Sequence, residues 1–410
     1  MSHQPEPHHQ ANGTANGHQD EHGDIYAQAM TYTYSHTTTI PAPPELGGDK
    51  TYAILKGTID EHFVSSWAPF GGYILALCVE AVRFEVRRLG LDKRFHEPIA
   101  MGATLVQAGR DGPFVASVHP IRVGGRFAFF EVALRQAAPP PRGAATNANG
   151  PADETTPQYV TMATGRVTMS DLTLEQGAYT ILSNDGRTPV TSPFDPPVFQ
   201  WPWMADYPQG TGASAAPGPS PFPPDSATPW DPSKRVGLGL PPLSACHPRS
   251  WNEKHGWKVS TRTGKSMEHL IETRDMPYRE GEYYSLESGG DWCKWVRLLP
   301  PASSPHTTSS LAFFSDYWNS IVGWVRRPSD KDGFMPTIEF QIQFRSIPKP
   351  TTQWLLLCTR NRMATHGKRE WDVEIWDEEG RLLSVARQLC ATASSKNAYR
   401  LAEKGAKGEE

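Results

Sequence analysis

TTSSLAFFSDYWNSIVGWV, residues 307–325, followed shortly by PTIEFQIQF, residues 336–344, is the stretch on which the fold turns. In the first run Leu311, Phe314, Trp318, Ile321, Val322 and Val325 recur at helical spacing, which predicts a helix with a wide apolar face. Thr308 or Ser309 is the expected N-cap, because a hydroxyl there accepts from an N–H that the first turn leaves unbonded. The second run alternates, with Ile338, Phe340, Ile342 and Phe344 on one face and Thr337, Glu339, Gln341 and Gln343 on the other. That is the pattern of a strand with one buried face.

Strands are expected on both sides of this pair. SMEHLIETR (266–274) and DWCKWVRLL (291–299) precede the helix, while Trp354–Arg362, Glu370–Trp376 and Leu382–Cys390 follow, with DEEGR as the turn before the last. The same order occurs upstream. TYAILKGTID (51–60) reads as a strand, APFGG (68–72) leads into the helix YILALCVEAVRFEVRRLG (73–90), and strands follow at Ile99–Val106, Phe114–Val123, Phe127–Arg135 and Tyr159–Met169. In that helix the polar residues Glu80, Arg83 and Arg87 leave a broad apolar remainder, as expected of a helix laid on a sheet. Two copies of one unit account for the 410 residues and for the repeat.

The 38 prolines and 35 glycines are too many for helices and strands and predict long irregular segments. Residues 1–47 read as a disordered tail, 48–176 as the first unit, 177–265 as a Pro/Gly-rich connection, 266–398 as the second unit and 399–410 as a charged tail. The run 136–157 reads as a long hairpin connection,. His3, His8, His9, His18 and His22 fall in the first tail, which offers no fixed geometry for a metal, so none is expected.

With 40 Lys+Arg against 44 Asp+Glu, no global positive field draws the chain to nucleic acid or an anionic membrane. The longest apolar runs, such as Tyr73–Val79, fall short of the ~18 residues of a membrane span. Without a secretory signal or a peroxisomal tripeptide, a cytoplasmic location is the expectation. The five cysteines, Cys78, Cys246, Cys293, Cys358 and Cys390, form no C-x-x-C pair. They are expected to be reduced and buried. No P-loop, G-x-G-x-x-G helix start, H-E-x-x-H or G-x-S-x-G occurs, which removes phosphoryl transfer, zincin and α/β-hydrolase chemistry. Ser315, Asp316, Asn319, Ser320 and Gly323 form a small polar stripe in the second helix, which by itself reads as a solvated face in preference to a site.

The second half, through HLIETRDMPY, WCKWVRL, LAFFSDYWNSIVGWV, PTIEFQIQF and TQWLLLCTRNRMATHGKREWDVEIWDEEGRLLSVARQ, resembles the C-terminal half of the acyl-CoA thioesterase II family. The first half resembles it more weakly, through PFGGY and GGRFAFFEVALRQ. The resemblance covers about two thirds of the chain and implies an α+β double hotdog: two antiparallel sheets, each wrapped around a long helix, as an intrachain pseudodimer. It implies hydrolysis of an acyl-CoA or related thioester, with acyl-CoA as the partner molecule, no cofactor and no metal, and leaves a homo-oligomer possible. By position the catalytic set carried over is Asp316, Thr337 and Gln388. A carboxylate and an amide oxygen can hold and polarise a water while a hydroxyl adds a hydrogen bond. Gly71, Gly72 and Tyr73 at the first helix start are candidate oxyanion or substrate donors through their N–H groups, although Gly-Gly there also serves plain packing. Ser315 could support the site or be an ordinary helix residue, Phe313, Phe314 and Trp318 could line an acyl tunnel, and Glu339 and His366 have no expected role. The Asp and His pair of hotdog hydratases has no counterpart in APFGGY or FFSDYWNSI. Two alternatives stay open: a non-catalytic acyl-thioester-binding protein, and a thioesterase releasing a carrier-bound acyl chain.

Overall fold

The structure, a computed structural model, describes residues 24–40, 49–65, 68–138, 158–172, 243, 246–248, 267, 270–275, 292–300, 305–317, 333–334, 336–365, 368–391 and 393–394. The chain opens with α1 (Ile25–Ala29), β1 (Thr33–Ile40), β2 (Lys50–Ile59), β3 (Val64–Ser65), β4 (Ala68–Pro69) and α2 (Gly71–Arg88). Then come β5 (Glu97–Leu105), β6 (Gly112–Val123), β7 (Ala128–Ala137) and β8 (Tyr159–Ser170). The second half has β9 (His247–Pro248), β10 (Ile271–Asp275), β11 (Trp292–Leu298), α3 (Thr308–Ser315), β12 (Gly333–Phe334), β13 (Thr337–Phe344), β14 (Leu355–Thr365), β15 (Lys368–Asp377), β16 (Leu382–Ala391) and β17 (Ala393–Ser394).

Thirteen strands form one sheet in the order β1-β2-β6-β7-β8-β5-β13-β16-β15-β14-β11-β10-β9. The sequence suggested two sheets side by side. Instead β5 and β13 pair antiparallel, Glu339 opposite Thr104 through Gln343 opposite Ala100. Each would otherwise present unpaired N–H and C=O groups at the edge of its own half, and pairing satisfies both rows at once. The helix α2 packs against β5 to β8, α3 packs against β13, β15 and β16, and the two helices pack on each other. Phe63, Tyr73, Leu75, Phe130, Phe313, Phe314 and Phe340 are among the fully buried side chains of the core between helices and sheet.

Three expectations need correction. The tail reading of 1–47 fails for residues 24–40, which form α1 and β1. Composition counted few aliphatics there, but Tyr26 is 4% exposed and sets its ring edge-on to Phe63 and Phe313. Tyr32 donates its hydroxyl to the Leu77 carbonyl and Tyr73 donates its own to Ala29, while β1 needs only main-chain bonds to β2. The connection also ends earlier than residue 265, since His247–Pro248 pairs with β10. Finally, the N-cap of α3 is Thr307, in a capping box with Ser310, and the described helix ends at Ser315 with Asp316 as its C-cap. The remainder of the expected helix, the insert at 139–157 and most of 177–265 lie outside the described residues.

Candidate active site

The first turn of α2 is made of Gly71, Gly72 and Tyr73, and its N-cap Phe70 supplies no capping side chain. The first-turn N–H groups of a helix have no intrahelical acceptor. Across 244 positions, the N–H of Gly72 donates to Oδ2 of Asp316 at 2.9 Å. The positive end of the 18-residue α2 therefore faces a carboxylate, a favourable placement. The main chain of the opposite half requires glycine at position 72, and the Asp316 side chain crowds position 71. A Cβ on Gly72 would lie 2.1 Å from the Phe313 carbonyl oxygen, and one on Gly71 would lie 2.5 Å from Asp316 Oδ2.

On its other oxygen, Asp316 accepts from the hydroxyl of Thr337, with Oγ1 3.2 Å from Oδ1. That same Oγ1 lies 3.1 Å from Oε1 of Gln388. A hydroxyl has one proton to give, so Thr337 serves one acceptor at a time and links the carboxylate to the amide. The three residues come from the end of α3, the first position of β13 and the middle of β16. The register of β13 against β16 shifts between Thr337 and Glu339, and such a bulge re-aims a side chain. Asp316 is 9% exposed, Gln388 1% and Thr337 half-buried.

Neighbours that the sequence did not single out complete the surroundings. Cys390 stands opposite Thr337 in the ladder, with its sulfur 3.6 Å from Thr337 Oγ1. Burial pushes its thiol up to about 12, with the Thr337 hydrogen bond opposing the rise and the Asp316 charge adding to it, which favours the protonated thiol. The period of two along β16 puts it on the same face as Gln388, a signal legible in advance. Tyr317 follows Asp316, with the Lys294 ammonium 4.1 Å from its ring centroid and Phe70 and Phe314 edge-on to it. Nothing in the sequence pairs Lys294 with Tyr317.

Other expected residues are placed elsewhere. The Tyr73 side chain points away from Asp316: its hydroxyl bonds Ala29 and the Asp60 N–H, so only its main chain belongs to the helix start. Ser315 donates to the Leu311 carbonyl at 2.7 Å, an ordinary back-bond within the helix. Phe313 and Phe314 are fully buried in an aromatic cluster with Tyr26, Phe63 and Phe70. Glu339 is exposed, and Trp318, Asn319, Ser320, Gly323 and His366 lie outside the described residues.

The reciprocal end of the helix pair is chemically different. Where Gly72 meets Asp316 at one end, Ser309 of α3 donates its hydroxyl to Glu80 of α2 at the other. Glu80 is also held by Arg83 and Arg87, and Glu97 by Arg83 and Thr308. These carboxylates are committed to cations and hydroxyls. A cavity of about 360 Å³ beside them is lined by Tyr26, Met30, Tyr32, Phe84 and Arg87.

Residues 60–149 match the acyl-CoA thioesterase N-terminal domain and residues 243–392 the acyl-CoA thioesterase C-terminal domain. Among solved structures, the chain is similar to a conserved hot dog fold protein of unknown function from Alicyclobacillus acidocaldarius, with 16% identity, a TM-score of 0.52 and coverage of 90% of this chain and 98% of that one. It is also similar to a protein described as thioesterase II from Thermobifida fusca, with 14% identity, a TM-score of 0.50 and the same coverages. At these identities the likeness is one of fold. No curated protein matches the chain.

Proposed function

Because this chain belongs to the acyl-CoA thioesterase family and is a thioester hydrolase, we propose that it cleaves an acyl-CoA to the free acid and thiol at the Asp316–Thr337–Gln388 site. The observation that carries this reading is the meeting of the three side chains through Thr337 Oγ1, against the start of α2. We read the architecture as a double hotdog, an intrachain pseudodimer joined where β5 pairs with β13.

The chemistry follows from the donors and acceptors. A water donating one proton to Asp316 and the other to Gln388 Oε1 turns its lone pair outward, toward a thioester carbonyl carbon set beside it. Thr337 donates to the carboxylate and fixes its plane. As water attacks, its proton passes to Asp316, and the charge arriving on the carbonyl oxygen needs donors already in place. The first-turn N–H groups of α2 supply them. Gly72 holds Asp316 while it is ionised, and protonation of the carboxylate weakens that bond and frees the N–H for the oxyanion. Collapse of the tetrahedral intermediate expels the CoA thiolate, which recovers the proton from Asp316. No covalent enzyme intermediate is needed.

A thiol-release assay over acyl-CoAs of graded chain length tests the reading. Turnover of at least one acyl-CoA, abolished by Asp316→Asn, is the expected result. Acyl-CoA binding without turnover would instead favour a binding protein, and turnover confined to carrier-protein thioesters would move the substrate from CoA to a carrier.

A further inference from the structure

The side of the second-half sheet remote from the main core carries its own apolar cluster, made of Cys246, Cys293, Trp295, Trp354, Leu356, Cys358 and Trp376. Within it β11 and β14 run antiparallel with Cys293 directly opposite Cys358. Their sulfurs are 3.2 Å apart, and both residues are buried, 7% and 2% exposed.

We propose that Cys293 and Cys358 form a redox-convertible dithiol that closes to an intrachain disulfide bridging β11 and β14. Directly opposite residues in an antiparallel pair have Cβ atoms roughly 4.5–5.5 Å apart, close to the 3.5–4.5 Å span of a disulfide. With the sulfurs already turned toward each other, closure asks for small side-chain rotations and a slight approach of the strands. Packing alone also explains one buried cysteine. It does not call for two thiols in facing register with their sulfurs in contact.

The oxidant is a small-molecule disulfide of the oxidised glutathione class. Cys293, the more exposed of the pair, attacks one sulfur as its thiolate, forming a mixed disulfide and expelling one thiolate that takes up the Cys293 proton. Cys358 then attacks the Cys293 sulfur, and the second small thiol leaves with the Cys358 proton. Two electrons pass from the pair to the oxidant, and two small thiols are released. The link would pin β11, where Lys294 follows Cys293 and lies over the ring of Tyr317 beside Asp316, to its neighbour β14 in the sheet. This inference does not depend on the proposed substrate.

The test uses the folded full chain, incubated with oxidised glutathione, then denatured, alkylated and mapped without reduction. The expected result is two cysteines protected from alkylation, a Cys293–Cys358 linked peptide, its loss on treatment with dithiothreitol, and a higher melting midpoint for the oxidised protein. Cys293→Ala and Cys358→Ala should each abolish the link, and Cys246→Ala should retain it. Alkylation of all five cysteines after oxidation, or a link that runs through Cys246, would overturn the proposal. Should an alanine variant fail to fold, the linked-peptide map of the unmodified sequence decides alone.

Discussion

Gly72 and Asp316 are bonded main chain to side chain at 2.9 Å, the start of one half's helix to the end of the other's. The contact makes the site a joint product of both halves, because neither Asp316 nor the α2 N-terminus has its partner without the other. It also explains why a glycine is needed at position 72, since a Cβ there would strike the main-chain carbonyl of Phe313 in the opposite half, whereas one at position 71 would meet the Asp316 side chain.

Asp316→Asn keeps the shape and an oxygen that can accept from Gly72, but removes the charge that takes the proton of water in the proposed mechanism. Turnover should fall by ~10²- to 10⁴-fold with little change in acyl-CoA binding. Steady-state kinetics with a melting curve on the same preparation checks it. Unchanged turnover at normal stability would remove Asp316 from the mechanism while leaving the fold intact.

The two glycines should separate stability from activity. Gly72→Ala drives a methyl into the Phe313 main chain, 2.1 Å away, and is expected to cost ~1–3 kcal/mol as overpacking does. Gly71→Ala meets Asp316 Oδ2 and Leu105, both of which can shift. Its effect should be larger on kcat than on the melting temperature, and equal losses in both variants would contradict the distinction.

Tyr26 anchors α1 under the aromatic cluster, yet its buried hydroxyl has no hydrogen-bond partner among the described residues. Tyr26→Ala should cost ~3–5 kcal/mol, as for deletion of a buried ring. Tyr26→Phe removes only an unsatisfied polar atom and should be neutral or stabilising by ~1 kcal/mol. Chemical denaturation of the two variants tests the pair, and a large loss with Tyr26→Phe would show that the hydroxyl has a role.

His306 precedes α3 and is buried, with Nε2 bonded to the Gln353 carbonyl. Burial lowers its pKa from 6.5 to about 4. In the unfolded chain it takes a proton near pH 6.5, whereas the folded protein resists until about pH 4. The unfolded state binds more protons in that window, so stability is lost as pH falls through it, by ~3 kcal/mol in all, and no further below it. His306→Gln keeps a donor and cannot titrate, so its stability should fall less between pH 7 and 4. Parallel slopes for the two proteins would show that His306 does not drive the acid response.

Much of this was written locally. The alternation of PTIEFQIQF and the spacing of Leu311 and Phe314 are periodicities that a strand and a helix impose on any chain; the strand stands where its pattern places it, and the helix does so over its described part, Thr308–Ser315. The doubling of the unit was legible as an order of elements that occurs twice along the chain, and Asp316, Thr337 and Gln388 were singled out only through the family resemblance carried by the runs around them. Contacts between distant elements were not. That Tyr26 lies on Phe313, that Lys294 holds Tyr317, that Cys293 faces Cys358, and that the halves share one sheet through β5 and β13 depend on register and helix docking. Periodicity fixes which face of an element is buried but carries no information about which other element covers it. The Asp316 carboxylate could be read from residue 316, but its placement at the N-terminus of α2 was decided only when the two helices packed.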